Sequence, residues 1–201
     1  MEETTIIYNG IIKPEDEIKR YTKFIKEHPD TKELYEGRAL AYITNKEYEK
    51  ALADFQKASK LDLQNTHYLF CCADCLGKLG KWDNALKEYK KILKIDDKDA
   101  LCYLNMADIF FQKHSNQNAE KYYTKAIELG KNDCMYYYRR AYFYYSTGKT
   151  DKALTDCDNG LKINPEDNCI LSLKDQIFKE LKRKKDKEQY YKFLNTYIFS
   201  F

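Results

Sequence analysis

From Pro14 onward the chain is a succession of short runs in which apolar residues return every three or four positions, with polar turns between them. That spacing puts the apolar residues on one side of a helix. The first run holds Ile18, Tyr21, Phe24 and Ile25. It opens on Pro14 with Glu15, Asp16 and Glu17, which suit the positive end of a helix, and it closes at His28-Pro29-Asp30. From Lys32 the pattern recurs with a period of 34 residues. Alanine stands at 39, 73, 107 and 141, and again at 51, 85, 119 and 153. Bulky residues keep the same step: Tyr35, Leu69, Tyr103 and Tyr137; Tyr42, Leu76, Phe110 and Tyr144; Phe55, Tyr89 and Tyr123, with Cys157 as the fourth member; and Leu61, Ile95, Leu129 and Ile163. A small residue in each of two helices lets them cross closely while the aromatics fill the space beside them. Units too small to close a core singly can bury one by stacking.

This skeleton resembles the tetratricopeptide-repeat family. The resemblance rests on the paired alanines, the aromatic positions, Gly80 and Gly148 in the turns, and Pro165 closing the fourth unit. It covers residues 32–167, about two-thirds of the chain. Lys46 and His114 depart from the family by replacing a turn glycine, which leaves the third turn furthest from the pattern. Asn116 and Thr150 stand in for an aromatic, and Leu63, Asp97 and Lys131 for the closing proline. The resemblance implies an all-α protein: a right-handed helical solenoid (an alpha-alpha superhelix) of four tandem helix-turn-helix units, 32–65, 66–99, 100–133 and 134–167. Residues 14–31 fit the second helix of a preceding half repeat, with Glu17 where alanine is expected. Residues 1–13 form an N-terminal arm, its Ile6, Ile7, Tyr8, Ile11 and Ile12 lacking a helical period. Residues 168–201 supply a C-terminal capping helix to about Lys185 and then an apolar tail, Tyr190, Phe193, Leu194, Tyr197, Ile198 and Phe201. That tail is expected either to fold back over the last repeat or to contact another chain.

Composition narrows the function. Lys plus Arg number 35 against 32 Asp plus Glu, a balance that disfavours nucleic acid as the partner. The run Lys182–Lys187 reads as the solvated end of a helix, with a nuclear signal or nucleic-acid patch as the alternative. Seven irregularly spaced cysteines and the acidic start Met1-Glu2-Glu3 suggest free thiols and a cytoplasmic setting. No apolar run approaches the roughly 20 residues that span a bilayer, so no membrane is expected. Cys72-Ala73-Asp74-Cys75, with Cys71 and His67 nearby, has no second pair and sits inside a predicted helix. Core thiols fit it better than a metal or redox site. There is no phosphate-cradling loop and no nucleophile elbow, and His28, His67 and His114 fall at helix ends and turns. The chain therefore reads as a non-enzyme without a cofactor or metal.

In the family, the first helix of each repeat lines the inner face. Carried over, that face holds Phe70, Asp74, Leu104, Asn105, Asp108, Phe111, Met135, Tyr138, Arg139, Tyr142 and Tyr145 as a peptide-binding groove. Tyrosine gives contact area at low entropic cost and keeps a hydroxyl for a partner's backbone. Asp74 and Asp108, with Glu33 and Glu36, add an acidic component. Such a groove suits an extended or helical peptide bearing apolar side chains and one or two Lys or Arg; the alternative is that the chain's own termini fill it. Some family members clamp the carboxylate tails of chaperones, but of that clamp only Asn105 and Arg139 match, while Phe70, Asp74 and Met135 do not. The expected function is a protein-interaction scaffold or adaptor. A structural assembly subunit or homo-oligomer using the C-terminal apolar segment is the alternative, and a co-chaperone ranks below both.

Overall fold

The computed structural model describes residues 13–198, with side chains to residue 188. The expected N-terminal arm (1–12) and Phe201 lie outside the described residues, as do the side chains of the apolar tail from Tyr190 on. Ten helices and no strand occur among the described residues. They fall into two compact units, residues 1–97 and 98–201. The first holds α1 (Pro14–Glu27), α2 (Lys32–Thr44), α3 (Tyr48–Leu61), α4 (Thr66–Lys78) and α5 (Trp82–Ile95). The second holds α6 (Ala100–Gln112), α7 (Asn116–Leu129), α8 (Cys134–Ser146), α9 (Thr150–Ile163) and α10 (Asn168–Ile198).

The helix pairs α2–α3, α4–α5, α6–α7 and α8–α9 share one turn. In each, the N–H two residues past the helix cap reaches back to a carbonyl in the last turn: Glu47 to Tyr42, Lys81 to Leu76, Ser115 to Phe110 and Lys149 to Tyr144, all at 2.8–2.9 Å. This closure needs a left-handed residue just before that N–H. Gly80 (φ 69°) and Gly148 (φ 76°) supply it without strain, while Lys46 (φ 60°) and His114 (φ 56°) adopt it against their Cβ atoms. The third turn is thus built like the others despite its departure in sequence. A left-handed L-residue costs roughly 1–2 kcal/mol, and glycine gives back part of that through its looser unfolded state. His114→Gly is expected to stabilise by about 0.5–1 kcal/mol, read as a raised urea midpoint.

Helix starts repeat as well. The side chains of Asn65, Asp99 and Asp133 accept hydrogen bonds from the N–H groups of His67, Cys102 and Met135, capping α4, α6 and α8. Asp167, a further 34 residues on, accepts from Ile170 N–H at 2.9 Å and starts α10 in the same way.

The alanine ladders are fully closed: Ala39, Ala51, Ala85, Ala107, Ala119, Ala141 and Ala153 show no exposed surface. In the first unit Phe55, Tyr35, Tyr68 and the thiols of Cys72 and Cys75 pack around them. In the second, Tyr123, Phe143, Tyr144, Cys157, Ile170 and Ile177 do so. α10 docks on this core through Ile170, Leu173 and Ile177. Gly160 makes room for it, because a Cβ there would lie 2.5 Å from Ile170 Cδ1.

An ion-paired device joins neighbouring helices in both units. Arg140 grips Asp156 with two hydrogen bonds, at 2.7 and 2.8 Å, and donates a third to Thr124 Oγ1 at 3.0 Å. Arg38 does the same with Asp54, at 2.7 Å twice, and Thr22, at 3.1 Å. Asp54 and Asp156 are the buried charged residues of the described chain. The bidentate fork satisfies each carboxylate where water cannot reach it.

A second cluster lies on the surface of the second unit. Glu120 accepts from Lys149 (2.5 Å), Lys152 (2.9 Å) and the Tyr144 hydroxyl (3.0 Å). Lys149, then Lys152, hold its carboxyl down at about 2, well below the ordinary 4.5. A depressed carboxylate stabilises the fold above its unfolded pKa, and that contribution fades as pH falls through the folded value. Stability should therefore fall between about pH 4.5 and 2, and Glu120→Gln should flatten that part of the pH–stability curve. Chemical denaturation at stepped pH measures it.

Candidate functional site

Of the expected face residues, Phe70 and Asp74 lie in the first unit and the others in the second. In the first, Phe70 is half-buried and packs edge-on against Tyr89, with ring centroids 5.4 Å apart. Asp74 is exposed and accepts from the Tyr89 hydroxyl at 3.1 Å. His67 pairs through Nε2 with Glu36 at 2.9 Å, and Cys71 Sγ lies 3.6 Å from the same nitrogen. No cluster of three or more metal-ligating side chains occurs among the described residues. Burial pushes the thiols of Cys71 and Cys72 up to about 12 and that of Cys75 to about 11. Burial thus favours the neutral thiol at all three positions.

In the second unit the sequence-derived residues divide. Leu104 has no exposed surface and belongs to the core, so it offers nothing to a partner. The family resemblance implied the inner face for it, but it lies in the core cluster that holds Phe143 and Tyr123. Phe111 is half-buried and sits edge-on against the buried Phe143, with centroids 5.4 Å apart. Met135, Tyr138 and Tyr145 are half-buried and pack on the same core, and Asn105 is half-buried too. Tyr142 is 48% exposed.

Asp108 is already engaged. Its Oδ1 accepts from the Tyr123 hydroxyl at 2.5 Å and its Oδ2 from Arg139 Nη1 at 2.7 Å. Burial pushes the carboxyl up, and these two donors oppose that rise. The pairing answers two expectations at once. The acidic component of the face is neutralised internally at Asp108, and Arg139, one of the two residues fitting a carboxylate clamp, spends its charge on Asp108.

An opening lies beside the tyrosines. A cavity of about 350 Å³ is lined by Tyr138, Tyr142, Leu173 and the polar edge of α10, namely Asn168, Cys169, Ser172 and Gln176. Gln176 Nε2 donates to the Tyr145 hydroxyl at 3.0 Å and so ties α10 to α8 at one end of it. The cavity thus has two aromatic walls, an apolar floor and a rim of amides and hydroxyls. That combination can seat an apolar side chain and hydrogen-bond the peptide groups beside it. Asn168, Ser172 and Gln176 were not among the residues expected here. Their spacing of four marks one helix face, but the apolar side of the same helix was the stronger signal. A second cavity, of about 640 Å³, is lined by Tyr103, Gln117, Glu120, Lys121, Tyr122, Thr124, Lys125 and Glu128 and contains none of the expected residues.

Known proteins match this chain in pieces and in fold. A model described as anaphase-promoting complex, cyclosome, subunit 3 matches residues 18–92, and two tetratricopeptide-repeat models match 100–133 and 122–155. No curated protein matches the sequence. A tetratricopeptide-repeat protein from Parabacteroides merdae ATCC 43184 is similar with a TM-score of 0.71 and 22% identity, over 86% of this chain and 68% of that one. YrrB, described as a TPR protein with an unusual peptide-binding site, has a TM-score of 0.61 and 18% identity, over 81% and 84%. The APC/C hetero-tetramer Cut9-Hcn1 gives 0.68 and 15%, over 85% of this chain and 34% of that one. At these identities the likeness is one of fold: an all-helical tetratricopeptide-repeat solenoid.

Proposed function

We propose a function from the premise that the chain belongs to the tetratricopeptide-repeat family. Proteins of this family are in general non-enzymatic interaction scaffolds, and this chain acts as one. It binds a peptide or protein segment on the inner face of α8, where Tyr138 and Tyr142 take an apolar anchor and the α10 edge takes the peptide backbone. The observation that carries this reading is the cavity between the two tyrosines and Asn168, Ser172 and Gln176. Packing alone does not ask for an aromatic that is half exposed, as Tyr142 is. Because Asp108 already holds Arg139 and Tyr123, the peptide needs no Lys or Arg at that point. The peptide-binding site named for YrrB is consistent with such a use of the fold. We place the protein in the cytoplasm, where its seven thiols, all free, stay reduced.

Affinity capture with wild type and with Tyr138→Ala/Tyr142→Ala tests the reading, with circular dichroism checking that both are folded. Removing two aromatic anchors should weaken capture about 10–100-fold. Equal capture of every partner by the double variant would refute the site.

A second reading is favoured by the model that matches residues 18–92 and by the likeness to Cut9-Hcn1: the chain is a subunit of a larger assembly. Migration of the native protein at its own mass on gel filtration of cell extract would exclude it.

A further inference from the structure

α10 is built as the first helix of a fifth helix pair, and it does not turn. Its cap, Asp167, stands 34 residues after Asp133, and its Ile170 and Ile177 are buried like Tyr136 and Phe143 of α8. In α8 the residues one position further on, Tyr137 and Tyr144, pack into the unit's core. Their counterparts on α10 are Leu171, 43% exposed, and Phe178, 51% exposed. α6 and α8 each stop after 13 residues so that a second helix can return. α10 continues for 31 residues, through the place where that turn would fall. With the neighbouring Leu181 (38% exposed), Leu171 and Phe178 leave apolar surface of α10 open to solvent.

The segment 182–188 that continues this helix holds five cations, Lys182, Arg183, Lys184, Lys185 and Lys187, against Asp186 and Glu188. Lys174 is paired with Asp158 at 2.5 Å and Asp175 with Lys179 at 2.6 Å. Lys182 and Lys185 extend the Leu171–Phe178 stripe by the next turns and are exposed. Residues three, four and seven apart share a helix face, so apolar contact comes first along the stripe and cationic contact second.

We propose that this face of α10 docks an acidic amphipathic helix of a partner protein, which takes the place of the second helix that α10 lacks. The partner's apolar stripe covers Leu171, Phe178 and Leu181, and its Asp or Glu residues meet Lys182 and Lys185. The surface is separate from the tyrosine-walled cavity and stands or falls independently of it.

The test is selection of a displayed library of randomised helical peptides on the full chain, repeated on Phe178→Ser and on Lys182→Glu/Lys185→Glu. These side chains are exposed, so both variants should melt like the wild type. The expected result is enrichment of peptides with Leu or Ile at helical spacing and an acidic flank. Their affinity should fall at least about tenfold for Phe178→Ser, and the charge-reversed variant should select basic flanks instead. Absence of enrichment, peptides indifferent to Phe178, or no acidic bias would overturn the proposal. So would a dimer in sedimentation equilibrium that Phe178→Ser dissociates, since a second copy would then be the occupant. Binding of RNA to the Lys182–Lys187 segment that leaves Phe178 unimportant would overturn it as well.

Discussion

Arg140→Met is expected to destabilise the second unit by about 3–5 kcal/mol, because it leaves a buried carboxylate without its cation. The side chain of Asp156 is only 3% exposed, so water cannot replace the lost fork. Thr124 loses its donor in the same step. For a chain of this length 1 kcal/mol moves the midpoint by roughly 2–4 °C, so the melting temperature should drop by about 6–20 °C. Adding Asp156→Leu removes the stranded charge and should recover most of the loss, since a buried ion pair is worth little more than well-packed apolar residues. Thermal unfolding of the single and double variants measures both effects. If Arg140→Met costs under about 1 kcal/mol, the pair is a surface-like contact and this account of it is wrong.

The second large effect is Phe143→Ala, at about 3–5 kcal/mol. Phe143 is fully buried and its ring meets those of Phe111, Tyr123 and Tyr144 at centroid distances of 5.3–5.4 Å. Truncation opens a void that three rigid aromatic neighbours cannot close by small shifts. Tyr142, the preceding residue, is the contrast. Half exposed, it should cost no more than about 0.5 kcal/mol on truncation to Ala. Urea unfolding of the two variants should therefore separate neighbours in sequence into one that holds the fold and one that the fold does not require.

The reach of the sequence follows from what a repeat makes visible. The alanine ladders and bulky positions recur in every unit, because each helix pair must solve the same packing problem, and their spacing was legible at once. The ion-paired device has a fainter signature: threonine, arginine and aspartate follow one another at steps of 16, as Thr22, Arg38 and Asp54 and again as Thr124, Arg140 and Asp156. Its arginine and aspartate stand in the first and fourth repeats only, with the threonine on the helix before, so a period of 34 averages it away. The caps Asn65, Asp99, Asp133 and Asp167 do keep the period, but they lie outside the apolar pattern that drew attention. The face was legible in part. Tyr142 is 48% exposed and Tyr138 half-buried, whereas Leu104 is enclosed. Asp74 and Asp108 answer to tyrosines 15 residues on, in the second helix of their own pair. That contact depends on how two helices cross, which no single helix pattern records. At the C-terminal end two separate apolar stripes suggest a capping helix and then a tail that folds back or contacts another chain. α10 instead runs unbroken to Ile198, because the charged stretch Lys182–Lys187 contains no Gly or Pro to stop it.

The central claim is that the tyrosine-walled face of α8 meets a partner. A photo-crosslinking residue placed at position 142, with position 163 on the exposed end of α9 as control, addresses it in living cells. The account predicts a discrete crosslinked band from position 142 that the control lacks and that Tyr138→Ala diminishes. A crosslinking pattern at position 142 no different from that at position 163 would contradict it.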